Sequence, residues 1–136
     1  MANPFLVLGG VAVGVITAGV GVLQVPGWIA SAQDASAKND IEQVTIAEAA
    51  AMTVNGEYEA SIADLNAAGT GTKVTQSNGV EVEIAVDGDS YIVVTKSASG
   101  KFFARIDGGK IGSGDSVADA VADTGETFSG TLPTFD

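Results

Sequence analysis

Neither cysteine nor histidine occurs in this chain of 136 residues. Without thiols there is no disulfide staple and no thiol chemistry. Without imidazoles the histidine-based triads go, and so do zinc sites built from His and Cys. Bases are also sparse, with six Lys and Arg against 17 Asp and Glu, a net charge of -11. Phosphate recognition needs clustered cations, and six scattered bases do not form a patch, so the composition argues against nucleic acid and against docking on an anionic lipid surface. The acidity itself reads as solubility and mutual repulsion between free copies. Aromatic residues, at 6% of the chain, are too few and too scattered to suggest electron transfer.

One more absence is local. No side chain from Met1 to Gln33 carries a formal charge, and every acid and base lies from Asp34 onward. The chain therefore divides into an uncharged segment, 1–33, and an acidic head, 34–136, of roughly 100 residues, enough to bury one modest core.

The uncharged segment contains "PFLVLGGVAVGVITAGVGVLQV", and about 20 apolar residues suffice to cross a bilayer. As a helix, Phe5 to Val25 would run about 30 Å. Val and Gly form helices poorly in water, so this helix needs lipid or neighbouring helices. Gly10, Gly14 and Ala18 recur every fourth position, a face of small residues on which helices approach closely. Such a stripe is also ordinary in membrane helices. A cleaved secretory signal is one reading, with "ASA" before Gln33 as the cleavage site, but the run lacks a positive n-region and is overlong. A single-pass anchor is another, although no flanking Lys or Arg sets its orientation.

From Ser31 to Thr53 the pattern is helical and amphipathic. Ile41, Val44, Ala47 and Ala51 share one face, Asp34 and Lys38 are spaced for an i,i+4 ion pair, and Asn55–Gly56 supplies the stop. The amphipathic half thus continues out of the apolar one, with Pro26–Gly27 as the expected kink.

Together these residues carry a resemblance. "PGWIASAQDASAKNDIEQV" followed by "AEAAAMTVNGEYEASIADL" resembles the bacterial type IV pilins, particularly those of Gram-positive organisms. The matching positions are Phe5, Pro26, Gln33, Asp34, Ala35, Lys38, Asp40, Asn55, Gly56, Tyr58 and Leu65. They cover roughly the first half of the chain. Pilins usually carry a glutamate early in the mature helix; here Gly9 takes that place when Phe5 is aligned with the family's leading Phe, and no acid precedes Asp34.

The resemblance implies a structural subunit, not an enzyme, that self-assembles into an extracellular filament at the cell surface and is held in the membrane before assembly. Its expected assembly residues are Phe5, Gly10, Gly14, Ala18, Val22, Pro26 and Trp28. Its helix-to-head contacts are Ile41, Val44, Ala47, Ala51 and Tyr58. Implied partners are other copies of the chain, a platform protein, an assembly ATPase and a prepilin peptidase. No cofactor is implied. Trp28 suits either a membrane interface or a place beneath the head.

The head is expected to be α+β: the long N-terminal helix packed on a small antiparallel sheet of three to four strands. Val80, Val82, Ile84 and Val86 alternate with Glu81, Glu83, Ala85 and Asp87; Tyr91 to Lys96 makes a second strand and Lys101 to Asp107 a third. "DGDS", "SASG" and "DGGK" are turns, the last leading to a short strand near Lys110 and Ile111. The Ala-rich helix is the expected cover of the apolar face. Residues 55–79 are expected as a loop with a helical turn at Ser61 to Leu65, and 113–136 as an irregular tail with a strand near Phe128. Asp87 with Asp89, or Asp107 with Asp115, could offer oxygen ligands to calcium, but the loop spacing that calcium sites use is missing. The competing function is a membrane-anchored extracytoplasmic module that binds a ligand through its head.

Overall fold

The computed structural model describes residues 25–136, with side chains from residue 27 onward. The chain divides into two units, Met1–Ala32 and Gln33–Asp136. The described elements are helix α1 (Val25–Asn55), helix α2 (Ile62–Ala67), strands β1 (Glu81–Asp87), β2 (Ser90–Lys96), β3 (Phe102–Ile106) and β4 (Gly112–Gly114), and helix α3 (Val117–Thr124).

Helix α1 passes through Pro26 and Gly27 without a break. A proline acts on the turn before it, and here that turn lies outside the described residues. At its far end Gly56, at φ 77, closes the helix and donates its N–H to Met52 O at 3.0 Å.

All strand pairs are antiparallel, in the order β1-β2-β3-β4. The β1–β2 hairpin pairs Asp87 with Ser90, so Gly88 and Asp89 form a two-residue loop, and Gly88 at φ 61 supplies the left-handed position such a loop needs. In the turn after β3 Asp107 itself adopts φ 50. Its carboxylate offsets that strain by accepting from Tyr91 N–H at 2.9 Å and from Ser90 Oγ at 2.8 Å.

Strand β2 is buried on both faces from Tyr91 to Thr95, which gives the head two cores. On one side Tyr91, Val93, Phe103 and Ile84 meet Ala37, Ile41, Val44, Ala47 and Ala51 of α1, with Leu65, Val74 and Val80 closing the edge. On the other side Ile92, Val94, Ala104 and Ile106 meet Ala120 of α3 and Phe128 of the tail, with Phe102, Leu132 and Phe135 packed around them. The helix-covered face of β3 therefore belongs to Phe103. Phe102, Ala104 and Ile106 share the opposite face and join the second layer, because strand alternation sends neighbours to opposite faces.

Three further expectations change. The short fourth strand lies at Gly112–Gly114 instead of Lys110–Ile111. The tail is not irregular throughout: Ser116 caps α3 by accepting from Asp119 N–H at 3.1 Å, and Gly125 ends it at φ 74. Phe128 lies in no strand and is an apolar anchor on the second core. The helical turn expected at Ser61 to Leu65 is α2, capped in the same way by Ser61, which accepts from Asp64 N–H at 3.1 Å.

Candidate assembly surface on the long helix

The five residues expected to join the helix to the head are brought together. Ile41, Val44 and Ala51 are fully buried and Ala47 nearly so. Half-buried Tyr58 packs on the same core, its ring 4.7 Å from that of Tyr91 and tilted by 54°. Small and β-branched side chains at helical spacing let α1 lie close on the sheet, where Thr95 Oγ1 donates to Ala37 O at 3.3 Å. Of the residues expected to mediate assembly, Phe5, Gly10, Gly14, Ala18 and Val22 lie outside the described residues. Pro26 is described only through its backbone. Trp28 is 55% exposed, next to exposed Ile29.

The same buried face carries two carboxylates, Asp40 and Glu48. Asp40 is fully buried and accepts twice from Ser77, from the backbone N–H at 2.8 Å and from Oγ at 2.6 Å. It ties α1 to the turn before β1. Glu48 is also fully buried. Its Oε2 accepts from Glu59 N–H at 2.9 Å, while Oε1 has no hydrogen-bond partner. Burial pushes its pKa up to about 7; the Glu59 amide works against that shift and the Glu59 carboxylate adds to it. Burial also raises the pKa of the neighbouring Tyr91 hydroxyl, against a lowering hydrogen bond with Thr45. The i,i+3/i+4 apolar spacing that includes Ala37, Ile41, Val44, Ala47 and Ala51 places both acids inward, at 40 and 48.

Arg105 completes the attachment from the sheet. Its Nη1 donates to Glu42 Oε2 at 2.9 Å and its Nε to Gly109 O at 2.6 Å. The expected Asp34–Lys38 pair is not among the three ion pairs of the described residues. Asp34 instead accepts from Ser99 Oγ at 2.5 Å, and the Lys38 ammonium sits 5.1 Å from the centre of the Phe103 ring. Tertiary partners outcompete a surface ion pair worth only a few tenths of a kcal/mol, about 0.2–0.5.

Of α1's remaining surface in the head, Ile46 and Val54 are each 61% exposed, among exposed Asn39, Glu42, Ala49 and Thr53. Every large hydrophobic residue that stands exposed among the described residues, namely Trp28, Ile29, Ile46 and Val54, lies on α1. Asp87 and Asp107 spend their carboxylates on Ser129, Ser90 and Tyr91. Among the described residues no group of three or more acids is placed to hold a metal ion, and no helix is long and apolar enough to cross a membrane. The stretch expected to do so lies outside them.

Compared with protein-family models, curated proteins and solved structures, the chain gives no significant match.

Proposed function

We propose that this chain is the structural subunit of a type IV pilus-like filament. The observation that carries the reading is that, among the described residues, the exposed large hydrophobics are confined to α1, the helix that leads out of the uncharged stretch of the sequence. Isolated exposed residues are ordinary, but their restriction to one element marks that element as the one that seeks partners. Before assembly, the segment Phe5 to Val25 is held in the membrane. In the filament it packs against copies of itself, exchanging lipid for protein, with Gly10, Gly14 and Ala18 permitting close approach. The acidic heads form the sheath. Chemistry of bond making plays no part: function is polymerisation, served by a platform protein, an assembly ATPase and a prepilin peptidase, and its product stands at the cell surface.

Replacing Gly14 with leucine tests the proposal. A tightly packed helical bundle has no room for that side chain, whereas a plain membrane tether accepts it. Gly14→Leu is expected to abolish filaments while the head stays folded and the chain stays membrane-inserted. Normal filaments from this variant contradict close packing at Gly14. Ligand capture by the head of a chain that never polymerises supports the anchored binding module instead.

A further inference from the structure

The sequence contains two Asn–Gly pairs, Asn55–Gly56 and Asn78–Gly79, and the fold treats them differently. Where glycine follows asparagine, the missing Cβ leaves the glycine amide nitrogen unhindered and close to the asparagine carboxamide. Once deprotonated by a solvent base, that nitrogen attacks Cγ, the Cγ–Nδ2 bond breaks, and ammonia leaves with a five-membered succinimide behind. Water then opens one of the two ring C–N bonds, giving aspartate or isoaspartate. The overall change is one water consumed and one ammonia released, with no oxidant or cofactor. The reaction requires a glycine N–H and a carboxamide that are both free to move.

At Asn55 neither is free. Its Nδ2 donates to Ala68 O at 3.1 Å, and the Gly56 N–H donates to Met52 O at 3.0 Å in the closing turn of α1. At Asn78 both are. The residue is exposed, and among the described residues neither its side chain nor the Gly79 N–H has a hydrogen-bond partner. The turn is instead closed around them, by Val80 N–H donating to Ser77 O at 3.1 Å with Gly79 at φ 78.

We propose that Asn78–Gly79 is a self-modification site, at which the folded protein deamidates through a succinimide while its hydrogen bonds protect Asn55–Gly56. The position matters for the fold. Ser77, the preceding residue, supplies both donors to the buried carboxylate of Asp40. Either product therefore sets a new carboxylate one residue from that tie, and isoaspartate also lengthens the backbone there by one carbon.

Trypsin separates the two pairs, because Asn55 falls in the peptide Asn39–Lys73 and Asn78 in Val74–Lys96. The full chain, kept in detergent at mildly alkaline pH, is sampled over time with and without urea. Mass spectrometry follows the exchange of NH2 for OH at each asparagine. In the folded protein Asn78 is expected to react at least about tenfold faster than Asn55, the ratio that about 1.4 kcal/mol of local protection gives. In urea the two rates converge. The proposal is overturned if Asn55 reacts as fast as Asn78 in the folded chain, or if Asn78 stays intact when folded yet reacts in urea.

Discussion

A glutamate at position 48 faces inward among alanine, valine and isoleucine, and the fold leaves one of its oxygens without a partner. Its folded pKa of about 7 stands above the ordinary 4.5. The folded state therefore holds the Glu48 proton more tightly than the unfolded chain does. This contribution to stability is complete below 4.5 and is lost as pH rises through about 7. At 1.36 kcal/mol per unit the loss is about 3 kcal/mol. Glu48→Gln removes the titration. Denaturant unfolding of both proteins across this window should show the wild type losing stability relative to the variant as pH rises. Parallel curves contradict the assignment. Asp40 is equally buried, and Ser77 donates to both its oxygens. The helical spacing sets these two acids inward, but their partners were not legible beforehand, because nothing in a single sequence says whether a carboxylate at an inward helical position will find donors across the fold.

At the scale of elements, the long periodic patterns and the capped turn at Ser61 to Leu65 were legible, and the second capped helix, α3, was not. The register of α1 follows from its helical periodicity, β1 and β3 from alternation, and β2 from the Asp-Gly-Asp-Ser hairpin that precedes it. The second apolar layer escaped because β2, with Tyr91 to Thr95 buried on both faces, shows no alternation to interpret. Helix α3 escaped because its apolar periodicity is weak and it lies in a tail crowded with turn residues, although Ser116-x-x-Asp119 before Val121 and a closing Gly125 are the usual start and stop of a helix. Strand β4 explains its own composition. A Cβ at Gly112 would overlap the Ala120 carbonyl oxygen and the Thr124 amide, and one at Gly114 would overlap Asp119 and the Ala120 amide, so α3 lies directly on a strand stripped to glycine. Gly112→Ala should therefore cost about 2–3 kcal/mol by overpacking, read as a lowered urea midpoint. Ser116→Ala should cost about 1 kcal/mol through the lost cap. A neutral Gly112→Ala would mean that α3 sits further from β4 than described.

For the whole molecule, the uneven distribution of charge and apolar surface is the organising fact. All 23 acids and bases of the sequence lie from Asp34 onward, 17 of one sign and six of the other, so the heads of separate copies carry like charge, while the proposed filament needs the uncharged segments to pack together. A filament reconciles the two if the segments pack inside and the heads are spaced outside, where salt screens them over about 10 Å. The boundary of the uncharged segment and its small-residue stripe were legible from sequence; α1's bare residues Ile46 and Val54 became visible only once the head showed which face it covers. The most direct test of polymerisation is electron microscopy of material sheared from cells producing this chain, with its identity and N-terminus read by mass spectrometry. Thin helical filaments composed of this protein are the predicted result. Recovery of the chain only as a detergent-soluble monomer, with no filaments, would contradict the account.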